Sequence, residues 1–392
     1  MGGPLVSATL FSVTFLSPVH VGTEERLGDH DILSLGGRLY RVAVDRLLRE
    51  LEREPQSTDR YLTGGLREIE QWLRQGDRLR RLTVYESQVP RDRRRGEDVR
   101  PFLSDPLGRP YVPGTELKGA VRTAVLWTLV AGHGDRRHLS EKIGKKQNRG
   151  RVEEQPDRRY VGQWLEHTLF GDEPRTDAFR LLRVCDSEAL PADRLKVYPV
   201  LVVARQQDGM RLMERPRRGE SPSSYTDDLL RAVASFCECL DSGEPKVRVE
   251  LDRYLFGKWD RDVSFLTRWQ EACNAFSRHV AEAELRWWTE GRDSSPPRLR
   301  PLTEALGGFY AQLLHQLAHL PQGHVVVNLG WGGGWRTKTV AEQFGPELVT
   351  RIVRRYKLDR GRGSSPFPKT RKVAWLGGEH FAPLGWVLLE PQ

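Results

Sequence analysis

Tyr111-Val112-Pro113-Gly114-Thr115-Glu116-Leu117-Lys118-Gly119-Ala120-Val121-Arg122 reads as a turn that opens a helix. Pro113-Gly114 is a turn signal, and Thr115 offers a hydroxyl to cap the first free N–H groups. Leu117, Ala120, Val121 and Ala124 then recur at helical spacing, and Gly132 and Gly134 end the run. Lys118 and Arg122 fall four apart, so both lie on one face of the first turns, beside the positive end of the helix dipole. Cations, free N–H groups and dipole together favour an anion there. The alternative reading is an ordinary capped helix with solvated cations. The segments on either side read as strands, which makes the chain α+β.

Toward the N-terminus, Thr9–Leu16 is rich in β-branched and aromatic residues, and Ser17-Pro18-Val19-His20-Val21-Gly22 breaks it as a turn. His20 is the only titratable side chain at that turn, available as an acid, a base or a phosphate contact, or as a structural residue. Leu33–Val44 reads as a hairpin around Gly36-Gly37, followed by a helix from Asp45 to Leu51 capped by Asp45. A helical stretch over Leu66–Leu73 and a strand over Leu82–Val89 come next. Arg91–Arg100 has no apolar anchor besides Val99 and is expected to be a mobile loop.

Toward the C-terminus, Arg136–Tyr160 carries Lys142, Lys145, Lys146, Arg149 and Arg151 and is expected to be a flexible basic insertion. A short helix over Val161–Leu169 precedes strands at Phe179–Cys185, closing on Asp186-Ser187, and at Lys196–Val203. Between Tyr225 and Leu320 the period reads as helical, with stripes at Leu229, Val233, Phe236 and Leu240 and at Phe265, Trp269, Ala272, Phe276 and Val280. Arg286-Trp287-Trp288 and Ser294–Pro301 are assigned to a connection.

Gly330-Trp331-Gly332-Gly333-Gly334-Trp335 follows the strand-like Val325–Leu329 and leads into Arg336-Thr337-Lys338-Thr339 and a helix-like Val340–Phe344. Glycines let backbone N–H groups approach a ligand, the cations suit phosphate, and the two tryptophans offer stacking faces or buried bulk. A phosphate-binding loop of the NTPase kind needs glycine before its lysine, and Thr337 stands there. Alternating βα units are also missing around it. Asp186 is a distant candidate for the magnesium-binding carboxylate.

The chain has 392 residues and a formal charge of +9, which favours a polyanionic partner. Cys185, Cys237, Cys239 and Cys273 show neither a disulfide framework nor metal spacing and read as small buried groups. His315 and His319 have the four-residue spacing of zinc proteases, with His324 nearby, but Gln316 occupies the position of the catalytic glutamate. No metal or cofactor is expected. No window reaches the length of a membrane span, and a soluble cytoplasmic protein is expected. The tail runs through Arg351–Lys357 and Arg360–Gly363 to Pro366-Phe367-Pro368-Lys369-Thr370-Arg371-Lys372. It closes on strand-like runs at Val373–Leu376 and Gly385–Leu389.

Two functions compete on these residues. A nuclease or NTPase would use the glycine loop as a degenerate phosphate pocket. A binding protein would line one long surface with cationic and glycine-rich stations spaced along the chain.

The Ser-Pro-Val-His-Val-Gly turn, the Val-Pro-Gly-Thr-Glu-Leu-Lys-Gly-Ala-Val-Arg helix start, the late glycine loop, the Pro-Lys-Thr-Arg segment and the closing Gly-Trp-Val-Leu-Leu together resemble the RAMP superfamily of CRISPR-associated proteins. In order and spacing they are most similar to the family of fifth subunits of the type III-A Csm effector complex. The resemblance implies an RRM-like, ferredoxin-type core with large helical insertions. Its parts would be residues 1–135 (first part of the core), 136–160 (basic insertion), 161–224 (core strands), 225–320 (helical insertion) and 321–392 (core, glycine loop and final strands). It implies a non-enzymatic subunit that caps the complex at the 3′ end of the CRISPR RNA and supports maturation of that end. Its partners would be that RNA, the repeated backbone subunit and other subunits, target RNA near the 3′ end, and recruited host nucleases. The RNA-binding residues implied are His20, Gly114, Thr115, Lys118, Arg122, Gly330, Trp331, Gly332, Gly333, Gly334, Trp335, Arg336, Lys338, Lys369 and Arg371. Asp29 and Asp31 fall where the RNA-cleaving backbone subunit carries an aspartate, but the surrounding pattern differs and cleavage is not carried over.

Overall fold

A computed structural model describes residues 6–148, 151–206, 209–214, 225–292, 295–359 and 367–392. The strands that position the site are, in chain order, β1 (Val6–Phe15), β2 (Val99–Arg100), β3 (Leu182–Val184), β4 (Leu195–Gln206) and β5 (Ala234–Leu240). They continue with β6 (Lys246–Asp252), β7 (Val325–Asn328), β8 (Thr370–Gly377) and β9 (Trp386–Pro391). The main helices are α1 (Gly114–Gly132), α2 (Trp269–Arg292), α3 (Arg300–Ala318) and α4 (Pro346–Tyr356).

Phe11 and Val13, on one face of β1, are buried, whereas Leu10, on the other face, is 40% exposed. Such alternation requires one covered face, and α1 and α2 lie together against the sheet. The strand order β7-β9-β1-β6-β3 is antiparallel at every junction. β1-α1-β3 leaves a gap that β6 fills, and β6-α2-β9 leaves a gap that β1 fills. Two interlocked split βαβ units of this kind are the ferredoxin-type core, with helices on one face. Leu117, Val121, Ala124, Val125 and Val130 of α1 and Phe276, Val280 and Trp288 of α2 supply the layer beneath.

A second sheet is built around the long β4, which pairs with β5 and β8, while β2 adds to β5 in parallel. Residues 32–35, 38–42 and 83–88 form a three-stranded sheet with its own small core, including Leu47, Leu66, Trp72 and Leu82.

Several local expectations are corrected. Residues 234–240, read as a helical stripe, are strand β5, and 246–252 are strand β6 inside the ferredoxin sheet. Phe236 and Leu240 do point into one core, but Cys237 and Cys239 are also buried, on the opposite face. A strand covered on both faces loses its period-2 signal, so a helical spacing emerged by accident. Arg286-Trp287-Trp288 lie inside α2, not in a connection. Arg91–Arg100 is not a free loop: Arg91 and Arg93 are buried, paired with Glu97 and Asp29, and Val99-Arg100 is strand. Asp29 is thereby a structural counter-ion. Arg136–Tyr160 contains a helix at Arg136–Glu141 and a hairpin at Lys145–Asn148 and Arg151–Glu154, tied to α4 by Tyr356 Oη donating to the Gln155 carbonyl at 2.7 Å. Arg149, Ser294 and residues 360–366, singled out above, lie outside the described residues.

Candidate nucleic-acid interface

The helix start forms where expected, with a different cap. α1 begins at Gly114 with Pro113 in the cap position and no side-chain cap bond; Thr115 is exposed. The orphan Gly114 N–H instead donates to Asp186 Oδ1 at 2.8 Å, so the carboxylate at the end of β3 caps the helix from across the fold. A Cβ on Gly114 would lie 2.4 Å from the Val184 carbonyl oxygen, so this glycine serves close packing on β3. Lys118 is half-buried and has no ion pair among the described residues, and burial holds its ammonium below the usual lysine range. Arg122, on the same face, is already neutralised: it donates to Glu166 Oε2 at 2.8 Å and Asp177 Oδ1 at 3.0 Å and lies over the Phe170 ring.

The glycine loop meets this helix. Glu116 Oε2 accepts from the Gly330 N–H at 3.1 Å, and Lys338 Nζ lies 3.9 Å from the same oxygen. Two stretches far apart in the sequence therefore share one carboxylate: Lys338 is paired with it, while Lys118 stands two residues further along α1. The loop's glycines are required by its own chain. Gly330 has φ +69°, and a Cβ there would sit 2.3 Å from the His20 carbonyl oxygen. A Cβ on Gly332 would strike Leu384, and one on Gly333 would come within 2.0 Å of Asn328 Oδ1. Gly334 alone of the four has open space at its Cβ position and is exposed. After the loop comes a 3-10 turn at Arg336–Lys338, and α4 starts only at Pro346, so no helix N-terminus follows the glycines as a phosphate loop requires.

Other sequence-predicted residues lie inside the protein. Arg336 Nη1 and Arg371 Nε both donate to the buried Glu284 of α2, at 3.0 and 2.5 Å, and Arg336 also reaches Glu342 at 2.8 Å. Both arginines are braces between the tail, the loop and α2, with Arg371 only 8% exposed over the Trp287 ring. This corrects their reading as RNA contacts. Lys369 is half-buried, its carbonyl accepting from the Arg205 N–H. Trp335 meets Phe367 edge-on.

His20 is also corrected to a structural role. It is 1% exposed, its Nδ1 lies 2.7 Å from the Glu238 carbonyl, and its carbonyl accepts from the Trp331 N–H at 2.8 Å. Burial lowers its pKa to about 4, so it is neutral at physiological pH. A histidine with a depressed folded pKa contributes stability that is complete above the unfolded value of 6.5 and is lost as pH falls toward 4. Over that window His20 is expected to remove about 3 kcal/mol. Urea midpoints at pH 7 and pH 4.5 should therefore converge more closely in His20→Gln than in the natural chain.

Trp331 lies half-buried over the second sheet, packed on Tyr198, Val200, Cys237 and Leu384. Arg100 of β2 and Lys372 of β8 stand 5.0 and 4.0 Å from its ring centroid. Neither was a sequence candidate: Arg100 was absorbed in an arginine run and Lys372 in the tail, and only sheet pairing brings them together. Among the described residues no three His, Cys, Asp or Glu side chains are placed to hold a metal, and no helix is long and apolar enough to cross a membrane.

A one-faced antiparallel ferredoxin-type sheet, a Pro-Gly helix start and a glycine-rich loop joined to it define the class, and the comparisons agree with it. Residues 12–336 match the RAMP superfamily, and the chain belongs to that family. Two curated proteins named CRISPR system Cms protein Csm5, from Mycobacterium tuberculosis strains CDC 1551 / Oshkosh and ATCC 25618 / H37Rv, are each 32% identical to it over 114 residues. Each match covers 26% of this chain and 26% of the relative, so it spans about a quarter of their length. The fold is similar to a chain in a cryo-EM structure of a Csm-crRNA-target RNA ternary complex of a type III-A CRISPR-Cas system, with TM-score 0.64, 23% identity and coverage of 97% of this chain and 100% of that one. It is likewise similar to the crystal structure of T. onnurineus Csm5, with TM-score 0.60, 20% identity and coverage of 96% and 99%.

Proposed function

We propose that this RAMP protein is a CRISPR RNA-binding subunit of a type III-A Csm effector complex, seated at the 3′ end of the RNA. The observation that carries the reading is the junction at Glu116, which joins the helix start that carries Lys118 to the glycine loop that leads into Lys338. Cations on two joined elements suit phosphates along one strand better than a single nucleotide, and no phosphate-loop geometry competes for them. The curated relatives carry the name Csm5, and one similar chain comes from a complex holding crRNA and target RNA, which supports the same assignment. In this reading the chain does no chemistry. It caps the filament of repeated backbone subunits in the cytoplasm, lies near target RNA at that end, and supports 3′-end maturation by nucleases from elsewhere.

The test is the assembled complex carrying Lys118→Ala and Lys338→Ala together. Reduced occupancy of the RNA 3′ segment and altered 3′-end length are expected, with the salt slope of RNA binding falling by about 1.4 for two single-strand phosphate contacts. Natural occupancy, length and slope in that variant would overturn the proposal.

A further inference from the structure

Among the described residues, the arginines buried most deeply are matched to carboxylates. Arg91 faces Glu97, Arg93 faces Asp29, Arg122 faces Glu166 and Asp177, and Arg336 and Arg371 share Glu284. Such pairing is expected, because a partly desolvated charge without a partner is expensive. Arg100 and Lys372, like Lys118, have no such partner, and these two lie against one ring. Both are half-buried, and among the described residues neither has an ion pair or a side-chain hydrogen bond.

Their placement is fixed by strand register. Arg100 pairs with Cys237, Cys237 with Tyr198, and Val200 with Ala374, two residues beyond Lys372. Paired residues share a face, so Arg100 and Lys372 flank one apolar strip of the second sheet and Trp331 lies across it. The indole face attracts each cation but leaves their mutual repulsion in place. Cys237 beneath them supplies no counter-charge, since burial pushes its thiol up to about 12. Burial and the neighbouring Arg100 together hold the Lys372 ammonium below its usual range, as expected of a cation that lacks an anion.

We infer that Arg100 and Lys372, seated on the indole of Trp331, form a site for one phosphate of the RNA backbone. The site rests on the RNA-binding reading above and names residues that reading does not include. Arg100 presents a planar fork and Lys372 a point charge, a pairing suited to a tetrahedral phosphate. Trp331 holds both in position, and its backbone is fixed by His20 and by the loop that also carries Lys338. The strand would therefore run from the α1 junction across the loop to the second sheet.

The experiment uses the full chain, a single-stranded RNA oligonucleotide and inorganic pyrophosphate. Arg100→Ala with Lys372→Ala is expected to lower the salt slope of RNA binding by about 0.7, the value for one single-strand phosphate, additively with Lys118→Ala and Lys338→Ala. Pyrophosphate is expected to change the tryptophan fluorescence of the natural chain, and the change should vanish in Trp331→Phe and in the Arg100, Lys372 double variant. An unchanged slope in that double variant, while the Lys118, Lys338 variant loses slope, overturns this site and leaves the RNA reading standing. A pyrophosphate response without any RNA binding overturns the RNA assignment and keeps the anion site. No pyrophosphate response together with an unchanged slope overturns the site altogether.

Discussion

Replacing Glu284 with alanine is expected to lower the unfolding free energy by about 3–5 kcal/mol, the usual effect of removing one member of a buried ionic cluster. Glu284 projects from α2 with a side chain only 6% exposed and accepts from Arg336 and Arg371, which arrive from the glycine loop and from β8. The two arginines are not left equal. Arg336 retains Glu342, whereas Arg371 keeps only the carbonyls of Pro368 and Thr370 and the face of Trp287, with its Nη2 already lacking a hydrogen-bond partner. The loss therefore falls mainly on Arg371, a buried cation with no carboxylate. Glu284→Gln should be milder, because one acceptor oxygen remains. Glu284→Leu combined with Arg371→Leu should recover much of the stability, since an apolar pair of similar volume avoids the orphaned charge. Denaturant midpoints of the four chains decide it, and an Arg371→Leu single variant as stable as the natural chain would show that the cluster carries no such weight.

That cluster also shows where reading the sequence succeeds and where it stops. β1, the Gly36-Gly37 hairpin, α1 and α2 beyond Trp269 were legible because their apolar residues keep a regular period, and β7 and β9, buried on both faces, were legible as short continuous apolar runs beside glycine turns. β5 was not, because burial on both faces erased the period that distinguishes strand from helix. For the site, the helix start at Gly114 and the loop at Gly330 were visible as local turn chemistry, and Lys118 and Lys338 stand where a ligand can reach them. Which cation is free is a different matter. It is decided by distant carboxylates: Glu284 for Arg336 and Arg371, Glu166 and Asp177 for Arg122, and, among the described residues, none for Arg100 or Lys372. Charge pairing across 44 to 87 residues leaves no local trace. An arginine count therefore exaggerates the binding surface, while sheet register creates the Trp331 site out of residues that looked ordinary.

Glu238→Ala is the second large effect, and it ties the small N-terminal module to the same site. Glu238 is fully buried on β5 and accepts from Tyr85 Oη at 2.6 Å, the Phe102 N–H at 2.7 Å and Arg41 Nη1 at 2.9 Å. Arg41 and Tyr85 belong to the three-stranded sheet that has its own core, so this carboxylate fastens that module to the second sheet. Alanine removes all three acceptor contacts and leaves the Tyr85 hydroxyl and Phe102 N–H buried without partners, for an expected loss of about 3–5 kcal/mol. Because the module keeps its own hydrophobic core, the loss should appear first as detachment. Faster amide exchange in residues 83–102 is expected well below the denaturant concentration that unfolds β1 and α1. The consequence reaches further through the backbone, since the Glu238 carbonyl holds His20 Nδ1 and the His20 carbonyl holds the Trp331 N–H. Burial raises the Glu238 carboxyl above its usual range, so the neutral side chain of Glu238→Gln has little charge desolvation to overcome. That variant keeps one acceptor oxygen and should retain most of the stability and the natural Trp331 fluorescence. Equal amide exchange in Glu238→Ala and the natural chain would mean that the module is held by its apolar contacts alone.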